Sequence, residues 1–286
     1  MRQMVALLIA TTRSPKVKPL YAMMGGRSPI LPNTQAQADA LQKILGENYK
    51  VFVSMRYANP RAAEVVKQIK QYAPEKIILL PLYPQFSTTT TESSETEWNL
   101  AAKGLHIPTE TICCYPIEAG FIAAIVENIL ANPPPLEGGI RAEGVRILFS
   151  AHGLPQKIID KKGDPYVKHV EKTAQAIVAK LGIPNLDWKV TYQSRVGPVE
   201  WVKPYTDVEI KQAGAEKKHL ILVPIAFVSE HIETLVELDV ENKHLAEASG
   251  CASYTRIPTV STHPKFIAGL AELVLSNTKK ECLCFQ

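Results

Sequence analysis

Glu230, Glu233, Glu237 and Glu241 are spaced three, four and four residues apart. On a helix that spacing sets the four carboxylates on one face as an acidic stripe. Acidic residues in a first turn suit the helix dipole, so Glu230 and Glu233 need no further explanation. Glu237 and Glu241 carry the stripe onward, at roughly 0.2–0.5 kcal/mol for each like-charge pair. His231 sits beside the head of the stripe. Two readings fit. One is a solvated helix face. The other is a path for protons or a hard cation ending at His231, since carboxylates suit hard cations and an imidazole titrates near neutrality.

The element that would carry these groups is legible around them. An apolar run, His219–Phe227, stops at Ser229, and a charged, helix-favouring run over Glu230–Ala248 follows. This reads as strand, turn and helix, with Ser229 as the N-cap. Ile232, Leu235, Val236 and Val240 would form the apolar face.

The same alternation runs along the whole chain. Strands are expected at Tyr49–Met55, Lys76–Leu82, Thr109–Tyr115, Val145–Ser150, Trp188–Gln193, His219–Ile225 and Tyr254–Ile257, with Met1–Thr11 apolar and either strand or short helix. Helices are expected at Asn33–Leu45, Arg61–Tyr72, Thr91–Lys103, Glu118–Leu130, Tyr166–Leu181, Thr206–Ala213 and Pro264–Ser276. Strands alternating with helices call for parallel sheets covered on both faces. The Pro- and Gly-rich stretch 132–144 divides the chain into lobes 1–131 and 145–286. KIILLPLYPQFST in the first half echoes HLILVPIAFVSE in the second, the mark of a duplicated Rossmann-like half. Ligands of open α/β sheets bind beyond the carboxyl ends of the strands. The polar groups gathered there are Arg56, Tyr57, Tyr83, Ser87, His152, Gln193, Ser194, Arg195, Glu230, His231 and Glu233. Two such crests make a cleft between two lobes.

Composition narrows the function classes. The chain has 286 residues, 46% hydrophobic and 21% charged, which is ordinary for one large or two medium globular domains. Its net charge of +4 comes without a Lys/Arg block, so nucleic acid is not an expected partner. GxGxxG, GxxxxGK[ST], GxSxG and HExxH are all missing, so neither a nucleotide nor common hydrolase chemistry is expected. No apolar run reaches the length of a transmembrane span, and Met1–Arg13 makes a poor signal peptide. A cytoplasmic protein with reduced thiols follows. The five cysteines, Cys113, Cys114, Cys251, Cys282 and Cys284, lack ordinary zinc spacing.

Seven stretches, in order, make the chain resemble the ferrochelatases, the protoporphyrin ferro-lyases that end haem synthesis. They are YAMMGGRSP (Tyr21–Pro29), MRY (Met55–Tyr57), LPLYPQFSTTTT (Leu80–Thr91), SAHGLP (Ser150–Pro155), GDPY (Gly163–Tyr166), YQSRVGPVEW (Tyr192–Trp201) and FVSEHIETLVELDVE (Phe227–Glu241). The resemblance implies two chelatase-type, Rossmann-like lobes with the substrate cleft between them. It implies a lyase that inserts Fe²⁺ into protoporphyrin IX. That reaction removes two pyrrole protons, bends the ring and delivers a hydrated cation.

By the same resemblance, His152 is the group for proton abstraction or metal contact. Glu233 is the carboxylate facing it across the porphyrin, with His231 its helix partner. Glu230 and Glu237 belong to the proton or metal path. Arg13, Lys16, Tyr21, Ser28, Arg56, Tyr57, Tyr83, Ser194 and Trp201 match positions around the macrocycle and its propionates. Guanidinium and ammonium groups suit propionates, and flat aromatics suit a flat ring.

The chain also departs from the family. Members begin with an NLGxP-type strand and a long apolar lip before the RxPK stretch, which here starts at Arg13. The first strand and most of the lip are therefore expected to be missing, leaving one wall of the pocket open. Peripheral membrane contact, which the lip mediates, stays open with it. Cluster-bearing members use a Cys in the PQFST-type loop and three near the C-terminus. Here the loop has Thr88 and the tail only Cys282 and Cys284, so no [2Fe–2S] cluster is expected. Two alternatives remain. One is a chelatase of the same fold acting on coproporphyrin or another tetrapyrrole. The other is an N-terminally shortened protein that binds porphyrin without catalysis.

Overall fold

A computed structural model describes residue 15 and residues 17–135, 137, 140 and 142–276. The expectations at Met1–Thr11, Arg13, Lys16, Cys282 and Cys284 lie outside the described residues.

The chain is α/β with parallel sheets. In the first half, strands β1 (Ile77–Leu79) and β2 (Thr109–Thr111) pair in parallel. Helices α1 (Ile30–Leu45), α2 (Ala62–Tyr72), α3 (Thr91–Ala101) and α4 (Ala119–Ala131) surround them. The second half is built on a four-stranded parallel sheet of β3 (Val145–His152), β4 (Asp187–Gln193), β5 (His219–Pro224) and β6 (Ser253–Arg256), in the order β4-β3-β5-β6. Between these strands run α5 (Gln156–Lys162), α6 (Tyr166–Leu181), α7 (Thr206–Ala215) and α8 (Lys243–Ser249), and α9 (Pro264–Leu275) follows β6.

Strand residues alternate faces, and the burial follows that period of two. Ile147, Phe149, Ile221 and Val223 pack on one side with Phe121 and Ile125 of α4, Ile177 of α6 and Phe266 of α9. Leu148, Leu220 and Leu222 pack on the other with Ile210, Ala213, Leu238 and Ala246. Burying each such side chain contributes about 1.5–3 kcal/mol. The first face joins the halves, because α4 belongs to the first half and lies against α9. A Cβ on Gly120 would meet the Lys265 carbonyl oxygen, and one on Gly269 would meet the Glu118 carboxylate, so only glycine allows these two helices to approach so closely.

Several expectations need correction. Tyr49–Met55 is not a strand; its backbone bonds locally instead, the Val51 N–H to Gln42 Oε1 and the Met55 N–H to the Pro60 carbonyl. Gln156–Lys162 forms a further helix, for which no expectation was stated. The largest difference falls on the expected helix Glu230–Ala248. It is π-helical over Glu233–Asn242 and α-helical only from Lys243. Ser229 does not cap it. Its hydroxyl donates to Gln37 Oε1 of α1, and Thr234 Oγ1 takes the His231 N–H instead. The wider π turn also rotates the faces. Val236 and Leu238 are buried, whereas Ile232, Leu235 and Val240 are only half-buried. Reduced thiols hold for Cys114 and Cys251, while Cys113 is disulfide-bonded. No described helix is long and apolar enough to cross a membrane.

Candidate active site

Strand β3 is buried from end to end until His152, whose side chain emerges half-buried at the carboxyl end of the sheet. The preceding residues are buried and pinned by neighbours on both sides, so the imidazole stands on a rigid base. Its Nδ1 lies 2.6 Å from the Gly153 carbonyl oxygen, which fixes Nδ1 as the donor. Its Nε2 lies 3.2 Å from Glu233 Oε1. The other Glu233 oxygen, Oε2, lies 2.9 Å from His231 Nε2. His231 Nδ1 in turn faces the Ser229 carbonyl at 3.1 Å, and its ring tilts against Phe227. One carboxylate thus sits between two imidazoles.

The electrostatics follow from that arrangement. Burial works against the charged form of Glu233, but hydrogen bonds from His152 and His231 outweigh it and hold the carboxyl at about 2. Burial likewise disfavours charge on His152, yet the bond to Glu233 dominates and raises its pKa. Glu237, one π turn further along, behaves in the opposite way. Burial raises its pKa despite hydrogen bonds from Ser194 and Gln193, and the Glu233 charge adds to the rise. Two neighbouring carboxylates are thereby pushed apart, one held ionised and one ready to carry a proton.

Gln193 joins these groups. It is the register partner of His152 on β4. Its Oε1 accepts from Ser150 Oγ at 2.6 Å, so its Nε2 faces the Glu233 carbonyl oxygen at 3.1 Å and Glu237 Oε2 at 3.2 Å. Ser194 adopts the left-handed region, with φ of 64°, and gives both its N–H and its hydroxyl to Glu237. Trp201 lies beside His152, with ring centroids 6.4 Å apart, and its buried Nε1 has no partner. A Cβ on Gly153 would come within 3.0 Å of the Gln193 carbonyl oxygen and 3.2 Å of the Trp201 ring, so this position accepts no side chain without displacement.

The sequence-predicted residues fall into separate groups. His152, His231, Glu233, Glu237, Ser194 and Trp201 come together around the carboxyl end of the second sheet. Glu230 turns away, because Arg256 and the Thr259 N–H hold its Oε1 at 2.7 and 2.9 Å. Glu241 is exposed. The continuous stripe of four carboxylates therefore reduces to Glu233 and Glu237. Arg56, Tyr57 and Tyr83 form a first-half group. Arg56 donates to Ser93 Oγ and pairs with Glu97 at 3.0 Å, beneath the exposed Tyr57 ring. Burial raises the Tyr83 pKa, against a hydrogen bond with Ser94. Tyr21 is half-buried on the helical segment 17–23, and Ser28 Oγ accepts the Ile30 N–H at 3.3 Å at the start of α1.

The GDPY and PQFST motifs bind the two halves together. Asp164 of GDPY is buried, and its Oδ2 accepts from Ser87 Oγ, Thr88 N–H and Thr88 Oγ1 at 2.8–2.9 Å. Gln85 donates to the Ile225 carbonyl at 3.1 Å, so the two echoing segments touch. Among the described residues, no group of three or more His, Cys, Asp or Glu is disposed to hold a metal. Here the imidazole and carboxylate atoms face one another at proton-sharing distances. A cation bridging His152 and Glu233 would have to part them.

Comparison with known proteins bears on the family and the fold. The sequence profile of the family described as ferrochelatase matches residues 1–278. A ferrochelatase of Rickettsia bellii (strain OSU 85-389) is 49% identical over 98% of this chain and 78% of its own length. One of Caulobacter vibrioides (strain NA1000 / CB15N) is 49% identical, with 98% and 80% covered. Among solved structures, SirB from Bacillus subtilis with Fe³⁺ superposes with a TM-score of 0.58 at 13% identity, covering 85% of this chain and 89% of SirB. CbiX, the terminal enzyme for biosynthesis of sirohaem in denitrifying bacteria, gives 0.57 at 16% identity, with 87% and 94% covered. These two structures speak for the fold, and the sequence matches for the family. The chain belongs to the ferrochelatase family.

Proposed function

We propose that this chain inserts Fe²⁺ into protoporphyrin IX, the lyase reaction that gives haem, and that His152, Glu233 and Glu237 do the proton work. His152 in its neutral form takes a pyrrole proton at Nε2. Glu233 stays ionised and stabilises the imidazolium that results. Glu237, with its raised pKa, carries the proton outward, and Gln193 and Ser194 hold it in line. The observation that carries the reading is Glu233 lying between two imidazoles at the carboxyl end of the sheet. His231 restricts the Glu233 carboxylate from the far side. Iron is substrate here, and His152 with Glu233 is the pair that would meet it as the macrocycle parts them.

The same reading places the macrocycle between lobes 1–131 and 145–286. Trp201 stands against its face beside His152. Arg56, Tyr57 and Tyr83 stand on the opposing lobe, with Tyr21 and Ser28 toward the propionates; Arg13 and Lys16, outside the described residues, are assigned to the propionates by their charge and by the family resemblance alone. Glu230 acts as an anchor rather than a step in the path. No [2Fe–2S] cluster is involved, since Thr88 occupies the loop and binds Asp164. The enzyme works in the cytoplasm or at a membrane face. Anaerobic incubation with protoporphyrin IX and Fe²⁺ or Zn²⁺, followed by metalloporphyrin absorbance, tests the reading. Formation above the uncatalysed rate supports it. Quenched porphyrin fluorescence without insertion would make the chain a porphyrin-binding protein. Iron–sulfur absorbance in the purified protein would overturn the absence of a cluster.

A further inference from the structure

A π-helix is rarely stable by itself, so whatever braces it decides where its side chains point. Here the brace is β6 and the residues just after it. The Tyr254 hydroxyl donates to the Leu238 carbonyl at 2.8 Å. Arg256 grips both oxygens of Asp239 through Nε and Nη2. Its Nη1 donates to Glu230 Oε1 at 2.7 Å, and the Thr259 N–H joins the same oxygen. The Arg256 side chain is only 12% exposed. Burial opposes its charge, but Asp239 and Glu230 outweigh that opposition and raise its pKa. Glu230 lies three residues before Glu233, and Asp239 lies two residues after Glu237. One guanidinium therefore holds both ends of the segment that carries the two carboxylates of the site.

We propose that Arg256 is a positioning residue for metal insertion. By holding Glu230 and Asp239 together it fixes the π-helical register that puts Glu233 between His152 and His231. The inference rests on the assignment of Glu233 to the reaction. Geometry of this kind is exacting, since a misplacement of about 1 Å costs on the order of a hundredfold in rate. Lysine keeps the charge but cannot grip two oxygens side by side.

The test is steady-state zinc insertion into protoporphyrin IX by Arg256→Met, Arg256→Lys, Glu233→Gln and the double variant Arg256→Met with Glu233→Gln. Arg256→Met is expected to lower kcat by about 10- to 100-fold. The KM for protoporphyrin stays within about twofold, because Arg256 lies outside the groups assigned to the macrocycle. Arg256→Lys recovers part of the loss. The double variant is no slower than Glu233→Gln alone, since Arg256 acts through Glu233. Should Arg256→Met fail to fold, Asp239→Asn carries the same test, because it leaves Arg256 paired with Glu230. Unchanged kcat in folded Arg256 or Asp239 variants, or losses that multiply with that of Glu233→Gln, would overturn the proposal. Full activity in Glu233→Gln would instead overturn the role of Glu233 itself.

Discussion

His152 Nε2 stands 3.2 Å from Glu233 Oε1, while His152 Nδ1 is committed to the Gly153 carbonyl at 2.6 Å. Both ring nitrogens face acceptors, so the resting site favours the imidazolium. The group proposed to take a pyrrole proton is thus held charged until it releases one. This relationship sets the pH behaviour of the site.

In the proposed role of His152 as proton acceptor, insertion requires its neutral form. The expected kcat/KM rises with pH through the pKa of His152, which Glu233 lifts above the ordinary 6.5. Glu233→Gln removes the carboxylate that favours the charged ring. The rising limb should then move to lower pH even as kcat falls. A pH–rate profile of the two proteins reads this directly, and an unmoved limb would disconnect Glu233 from the protonation of His152.

The same pair gives a stability window. Glu233 titrates at about 2 in the fold against 4.5 unperturbed, so its contribution is present above pH 4.5 and fades as pH falls toward 2. His152 is raised above 6.5, so its contribution is present below pH 6.5 and fades as pH climbs through its raised value. The Tm difference between the native chain and Glu233→Gln should be largest between pH 4.5 and 6.5 and shrink on both sides. A difference that stays unchanged below pH 4.5 and above pH 6.5 would show that the pair carries no coupled proton.

Gln193 touches Ser150, Glu237 and the backbone of Glu233 at once. Gln193→Leu keeps the volume and removes all three bonds. It should lower kcat by about tenfold and leave porphyrin fluorescence quenching intact. Weakened porphyrin binding with normal kcat would assign Gln193 to the macrocycle instead.

Asp164 satisfies three donors from Ser87 and Thr88 of the other half. Asp164→Ala removes the acceptor shared by these three donors, the buried Ser87 hydroxyl among them, and should cost about 3 kcal/mol in urea unfolding. A loss under about 1 kcal/mol would mean that water replaces the carboxylate.

The local pattern carried most of the fold and half of the site. Continuous apolar runs identified β3 and β5, because strands covered on both faces leave no polar alternation. Tyr166–Leu181 was legible to the residue, since its apolar period and its closing Gly182 agree. The π-helix was not legible. Its spacing of carboxylates reads as an α-helical stripe, and what holds it open comes from Tyr254 and Arg256, on another strand. For the same reason Glu230 looked like part of the path although it anchors to Arg256. Tyr49–Met55 has strand composition but no strand pairing, a matter of tertiary partners rather than propensity. Asp164 carried one signal, its place in GDPY, but nothing local shows that it reaches Thr88.

The most direct measurement is metalloporphyrin formation by the native chain and by His152→Ala, each incubated anaerobically with protoporphyrin IX and Fe²⁺, with porphyrin binding followed in parallel by fluorescence quenching. The native chain should form haem, and His152→Ala should bind porphyrin and form none above the uncatalysed rate. Full insertion by His152→Ala would contradict the account, because the proton acceptor would then lie elsewhere.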